Sequence, residues 1–145
     1  VRDIFYKKKL TIYDADTWRP YCHVFDFANI IYEVLQQPKK TNREIFNVGR
    51  DDNNYSKEMI IQKLRRYFPN LKIIYGKNDV DRRNYRVNFN KIQKILKVKP
   101  RYSIDFGIKQ IIRYLEKKPV NFYNKSIKYG NYKILEEKIK YDQSS

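Results

Sequence analysis

Tyr21-Cys22-His23-Val24-Phe25-Asp26-Phe27-Ala28-Asn29-Ile30-Ile31-Tyr32-Glu33-Val34-Leu35-Gln36-Gln37-Pro38 changes its hydrophobic period partway along. From Tyr21 to Phe25 the larger rings alternate with Cys22 and Val24, the two-residue period of a strand. From Phe27 onward, Ile30, Ile31, Val34 and Leu35 follow at helical spacing. Asp26, between the two patterns, is a good helix N-cap, and Pro38 is expected to stop the helix. A strand that feeds directly into an amphipathic helix is the building unit of an α/β fold.

The same alternation continues on both sides. Leu10-Thr11-Ile12-Tyr13 is β-prone, as is Glu44-Ile45-Phe46-Asn47-Val48-Gly49, which ends on a turn glycine. Ser56 caps a predicted helix with Ile60, Leu64 and Tyr67 or Phe68 on its buried stripe, ended by Pro69. Leu71 to Tyr75 reads as a strand closed by Gly76. Asn84 to Val87 is extended, and Asn88 caps a short helix carrying Phe89, Ile92, Ile95 and Leu96 before Pro100. Ser103 caps the cleanest amphipathic stripe of the chain, Ile104, Ile108, Ile111, Ile112 and Leu115. No repeat occurs at a period of 20–50 residues. Residues 1–117 therefore read as one α/β lobe of short strands with three or four helices. Residues 118–145, rich in Lys and Tyr, read as a basic surface extension without a firm apolar face.

Composition narrows the function classes. The 145 residues carry 32 Lys plus Arg against 16 Asp plus Glu, a formal net charge of +16. That balance suits a polyanionic partner, although the lysines are scattered along the whole chain as in a compositional bias. No apolar run is long enough to span a membrane. Val1-Arg2-Asp3-Ile4-Phe5 has neither an initiator Met nor a signal-peptide core and reads as a cut into a longer protein. One Cys, Cys22, and one His, His23, exclude an internal disulfide and argue against a metal site. The absence of a disulfide framework points to the cytoplasm.

Three stretches place unusual side chains at element ends. One, Phe46-Asn47-Val48-Gly49 with Asn53-Asn54-Tyr55-Ser56 just after it, reads as structural, Gly49 supplying a turn and Asn47 a hydrogen bond to loop backbone. The other two point to anions. Arg19 precedes a predicted strand, with Pro20 fixing the backbone beside it, and a guanidinium fork there suits phosphate oxygens. His23, in phase with Tyr21 and Phe25, reads as a packed, hydrogen-bonded core residue. The second of these two is Asp81-Arg82-Arg83-Asn84-Tyr85-Arg86-Val87. Alternation puts Arg82, Asn84 and Arg86 on one face and Arg83, Tyr85 and Val87 on the other. If Tyr85 and Val87 are buried, Arg83 points inward with them and needs an anion, since a buried unpaired charge is costly.

Taken in order, Arg19, His23-Val24, Asp26, Asn47-Val48-Gly49, Asp81-x-Arg83-x-Tyr85-x-Val87 and Lys91-Ile92 resemble the C-terminal, substrate-binding region of the extended short-chain dehydrogenase/reductase family, the NAD-dependent nucleotide-sugar epimerases and dehydratases. The resemblance covers roughly residues 5–116, and the fixed order of the motifs is more specific than any one of them. Two departures are visible. Asn88 replaces a common Asp, and Lys97-Val98-Lys99-Pro100 stands where a Leu-Gly-Phe-x-Pro element usually falls, with Leu96 kept and the glycine replaced.

The resemblance implies that Arg19 and Arg83 hold the diphosphate of a nucleotide-sugar and that Asp81 lies near the nucleotide ribose. It implies NAD or NADP in the complete enzyme, none of it bound by this chain, and an N-terminal Rossmann half as the missing partner, with a homodimer as one form of the whole. Catalytic residues are expected to be absent. The four glycines, Gly49, Gly76, Gly107 and Gly130, cannot form a glycine-rich dinucleotide turn. Tyr114-x-x-x-Lys118 and Tyr129-x-x-x-Lys133 match the family's catalytic spacing only as chance would allow in a chain with 14 Tyr. The rival from another class is a small basic nucleic-acid-binding domain, with aromatic rings stacking on bases. Against it, most aromatics fall on the apolar stripes, and only Phe122 to Tyr141 has the interleaved basic and aromatic pattern.

Overall fold

A computed structural model describes residues 1–7, 9–76 and 83–118. The chain opens with α1 (Arg2–Lys7), followed by strands β1 (Lys9–Tyr13) and β2 (Trp18–Pro20). Helices α2 (Val24–Gln36) and α3 (Pro38–Thr41) come next, and a 3-10 turn over Asp51–Asn53 leads into β3 (Asn54–Ser56). Helix α4 (Lys57–Arg65) precedes β4 (Lys72–Gly76), and α5 (Asn90–Leu96) and α6 (Ile104–Glu116) complete the described chain. The α/β class read from the alternating periods is the architecture found.

Two small sheets organise it. Strands β1 and β4 pair in parallel, with Lys9 opposite Lys72 and Tyr13 opposite Gly76. Strands β2 and β3 pair antiparallel, with Trp18 opposite Ser56 and Pro20 opposite Asn54. Two apolar clusters hold the layers together. Ile4, Leu64, Leu71 and Ile108 join α1, α4, the lead-in to β4 and α6. Ile30, Phe89, Ile92 and Leu96 join α2 to α5. The Ser caps act as read: the hydroxyl oxygen of Ser56 accepts from the Met59 amide and that of Ser103 from the Phe106 amide. Asn88 is not the cap expected: Phe89 holds the N-cap position of α5 without a side-chain cap, and Asn88, one residue earlier, accepts from the Asn90 amide.

Four further readings are corrected. Tyr21 to Phe25 is no strand. The ladder lies three residues earlier, at Trp18–Pro20, and α2 begins at Val24 because the His23 ring caps it, its Nδ1 accepting from the Phe25 amide. Asp26 is therefore inside the first turn and caps nothing; its carboxylate accepts the main-chain amides of Arg101 and Tyr102 instead. Pro38 ends α2 but at once starts α3, where its fixed φ and missing N–H suit a first helical position. Glu44 to Gly49 forms no strand among the described residues. Its alternation is present, with Phe46 and Val48 turned to the α2–α5 cluster and Ile45 85% exposed, but among the described residues no second strand pairs with it to complete a ladder.

Several large apolar side chains are exposed among the described residues. Val24, Phe27, Ile31 and Leu35 of α2 and Ile111 of α6 are exposed, so only Ile30 of the α2 stripe is fully buried. The extension over residues 118–145, apart from Lys118, lies outside the described residues.

Candidate functional site

Strand β2 sets the site. Its pairing with β3 fixes Arg19 opposite Tyr55 and leaves Trp18 and Arg19 on opposite faces. The Arg19 guanidinium donates from Nη1 to the carbonyls of Trp18, at 2.7 Å, and of Arg83, and it lies 5.5 Å from the centre of the Tyr85 ring. Arg19 and Arg83, separated by 64 residues, are thus brought into contact through the side chain of one and the main chain of the other. The field of Arg19 is felt nearby as well. Burial pushes the Tyr21 hydroxyl above its ordinary value, and the Arg19 charge pulls it back.

The segment from Arg83 to Phe89 is irregular and is not the buried strand expected. Tyr85 is 47% exposed, and Arg83 is exposed too, so the inward phase inferred for Arg83 does not hold. The contacts are shared between main chain and side chains: the Arg83 carbonyl and the Tyr85 ring meet Arg19, whereas the Asn84 and Arg86 side chains meet Trp18. Asn84 accepts from the Trp18 amide at 2.9 Å, and the Arg86 guanidinium carbon stands 3.7 Å over the Trp18 ring. Side chains replace the missing ladder, which is why no strand forms. Asn54 donates to the Val87 carbonyl and accepts from the Val87 amide, both at 2.9 Å, and Asp51 accepts from the Phe89 amide. These Asp and Asn residues were not singled out as tethers from the sequence; the run Asp51-Asp52-Asn53-Asn54 is the signal that could have found them. Asp81, read as the ribose-side acid, and Arg82, read as solvent-facing, lie outside the described residues.

Beside Asn84 opens a surface pocket of about 500 Å3, lined also by Asp14, Asp16, Thr17 and Tyr75, with Arg19 and Arg83 outside its lining. That volume accommodates a nucleotide-sized ligand. On the other side of the molecule His23 is packed, as read, against the rings of Phe25, Tyr102 and Phe106, and its Nε2 lies 2.9 Å from Gln110 Oε1. With Nδ1 accepting the Phe25 amide, the ring proton sits on Nε2 and is given to Gln110. Both nitrogens have structural tasks. Lys118 Nζ sits over the face of the Tyr114 ring, 4.8 Å from its centre, so this Tyr-x-x-x-Lys pair is a cation–π contact at a helix end.

The described glycines do not build a dinucleotide cradle. A Cβ on Gly49 would meet the Phe89 ring at 2.7 Å, one on Gly76 the Tyr13 ring at 2.7 Å, and one on Gly107 the His23 ring at 3.7 Å. Gly49 and Gly76 are explained by a neighbour's ring, whereas a Cβ on Gly107 would make only an ordinary contact. No glycine turn among the described residues fits a nicotinamide cofactor. Among the described residues no group of His, Cys, Asp and Glu could hold a metal ion, and no helix is long and apolar enough to cross a membrane.

Comparison with known proteins fits this geometry. The model of the NAD dependent epimerase/dehydratase family matches residues 1–49. Among solved structures, the chain is similar to TunA, an NAD-dependent NDP-hexosamine 5,6-dehydratase of tunicamycin biosynthesis, at 12% identity over 82% of this chain and 38% of that one, with a TM-score of 0.70. It is similar to RMD from Pseudomonas aeruginosa, solved with NADPH, at 18% identity over 77% and 39%, with a TM-score of 0.65. It is also similar to the Helicobacter pylori ADP-L-glycero-D-manno-heptose-6-epimerase, at 18% identity over 80% and 36%, with a TM-score of 0.57. The chain spans under two-fifths of the length of each of these proteins, and what it shares with them over that span is their α/β fold.

Proposed function

We propose that this chain is the substrate-binding portion of an NAD(P)-dependent nucleotide-sugar epimerase or dehydratase, in which Arg19 and Arg83 hold the substrate diphosphate. The observation that carries the reading is the convergence of Arg19 with the Arg83 main chain beside a nucleotide-sized cavity. A diphosphate carries about two charges, and guanidinium forks match its oxygens in pairs. Held there, the non-reacting end of the substrate orients the sugar, so binding energy is used for positioning. The family match over residues 1–49 and the shared fold of sugar-nucleotide enzymes support the class.

In this reading the NAD or NADP and the proton-transferring residues belong to a Rossmann half outside this chain, and this chain performs no chemical step. The exposed apolar face of α2 and the unpaired segment Glu44–Gly49 support such a docking half, since both are surfaces that a further sheet would cover. Asp81 is assigned to the ribose. The intact enzyme acts in the cytoplasm, with a homodimer as its proposed assembly.

The test compares neighbours within one segment. In the intact enzyme, Arg83→Ala is expected to raise KM for a nucleoside-diphosphate sugar and lower kcat, a loss of about 1.5–3 kcal/mol as for a hydrogen bond to a charged group. Arg82→Ala is expected to do far less, so general loss of charge does not account for the difference. Equal effects, or none from Arg83→Ala, sink the assignment.

A further inference from the structure

Trp18 is the chain's one tryptophan, and it sits immediately before Arg19 on β2. Nothing in a diphosphate clamp requires a tryptophan there. What the ring does is visible from its partners. The Arg86 guanidinium lies flat enough over it to approach within 3.7 Å of its centre, and the Trp18 amide is held by Asn84. Tryptophan is the ring on which a cation is held most strongly. Two consecutive residues of β2 thereby grip one irregular segment from its two faces, Trp18 through Asn84 and Arg86, Arg19 through Arg83 and Tyr85.

That arrangement sets where Arg83 stands. The segment has no ladder of its own to β2, so its register along the strand depends on side-chain contacts. A slip of one residue would exchange the two faces and take Arg83 and Tyr85 away from Arg19. The stack of Arg86 on Trp18 and the Asn84 bond to the Trp18 amide oppose that slip, because both contacts would be broken by it. Arg86 also removes its own charge from the Arg19 side by lying on the ring.

We infer that Trp18 is a positioning residue: stacked under Arg86, it locks the register in which Arg83 meets Arg19, and so sets the affinity for the diphosphate of a nucleoside-diphosphate ligand. The inference rests on the clamp reading given above. Its role is through Arg86 and Asn84; it touches no phosphate itself.

Calorimetric titration of the full chain with uridine diphosphate at low ionic strength, repeated with inorganic pyrophosphate, tests it. The wild type is expected to bind and Arg19→Ala to lose binding. Trp18→Ala and Arg86→Gln are each expected to weaken binding roughly threefold to tenfold, the span of one cation–π contact. Trp18→Phe keeps a ring and is expected to recover most of the loss. Combining Trp18→Ala with Arg86→Gln is expected to cost little more than either alone, as for two halves of one contact. In the wild type, emission from Trp18 is expected to shift on binding, and Arg86→Gln to change the unliganded emission. Should Arg19→Ala abolish binding while Trp18→Ala and Arg86→Gln bind like the wild type, the positioning role is overturned and the clamp stands. If Trp18→Ala fails but Arg86→Gln is silent, the ring matters only as scaffold and the role is again overturned. Absence of binding by the wild type, or indifference to Arg19→Ala, removes the clamp and this inference together.

Discussion

Lys63 Nζ of helix α4 lies 2.5 Å from Asp105 Oδ2 in the first turn of α6, with the two side chains 18% and 31% exposed. The pair ties the helix that enters β4 to the helix with the longest apolar stripe. The hydrogen bond to Lys63 holds the Asp105 carboxyl below its ordinary 3.8, and the same bond holds Lys63 above its ordinary 10.5. A depressed carboxyl contributes stability above its unfolded value and loses it as pH falls through the folded value. A raised ammonium contributes below its unfolded value and loses it as pH rises through the folded one. The pair therefore acts across the whole neutral range and fades at both extremes. Asp105→Asn is expected to lose about 0.5–1 kcal/mol at pH 7, as for a partly screened ion pair. The gap from wild type is expected to close below pH 3.8, checked by urea unfolding at stepped pH. A gap independent of pH would show that packing, and no charge, is lost.

Gly49 is expected to tolerate no side chain. Its φ is +155°, outside what L residues favour, and an added Cβ would stand 2.7 Å from the buried Phe89 ring. Since Phe89 is 2% exposed in the α2–α5 cluster, the ring has nowhere to retreat. Gly49→Ala should cost about 1–3 kcal/mol, the scale of overpacking a core. Trimming the ring by Phe89→Leu should make the second substitution cheaper. Additive costs in that double-mutant cycle would place the strain elsewhere.

Lys97 offers the opposite case. It ends α5 in the left-handed conformation, φ 57° and ψ 23°, with its amide donating to the Gln93 carbonyl. That geometry is the one a helix-terminating glycine adopts at no steric cost. Lys97→Gly is expected to stabilise the fold by about 0.5–1 kcal/mol, net of the entropy that glycine adds to the unfolded chain. A lower midpoint in denaturant for the glycine variant would contradict this.

What the sequence made legible was what depends on local periodicity. The stripes of α4, α5 and α6 and the runs at β1 and β4 are self-contained signals, and their Ser caps are read from one residue and its neighbours. The exchange of strand for helix at Tyr21–Phe25 came from a capping residue outside the usual set: a His ring accepts where Asp26 was expected to. Glu44–Gly49 has the strand's alternation, but a ladder needs a partner, and no pattern within the segment reports that. At the candidate site, Arg19 and Arg83 were expected to share one diphosphate; the contact found runs from the Arg19 guanidinium to the Arg83 main-chain carbonyl, not to its guanidinium. The inward aim of Arg83 was not met, because the segment is tethered by Asn54, Asp51 and Trp18, through contacts that span 33 to 68 positions and carry no periodic signal.

Asp26 supplies the last prediction, because its task is the one most different from that read in the sequence. It is 4% exposed, and its two oxygens accept the amides of Arg101 at 2.8 Å and Tyr102 at 2.9 Å. The contact spans 75 residues and fixes the turn before α6 against the first turn of α2. Asp26→Asn keeps one acceptor but sets an amide N–H against a main-chain N–H, so one donor faces another in a buried place. The expected cost is about 1.5–3 kcal/mol, the range for hydrogen bonds to a charged group. A second readout separates this from a general loosening. Burial pushes the Cys22 thiol up, and the charge of Asp26 adds to that push. Removing the charge in Asp26→Asn should therefore bring the thiol down slightly and quicken its alkylation at pH 8, by a small factor because burial is the larger cause. Loosening that exposes Cys22 would instead accelerate labelling strongly at every pH and blunt its pH dependence. An Asp26→Asn protein that unfolds at the wild-type denaturant midpoint would show that the two amides find water or other acceptors, and the clamp between α2 and α6 would have to be assigned elsewhere.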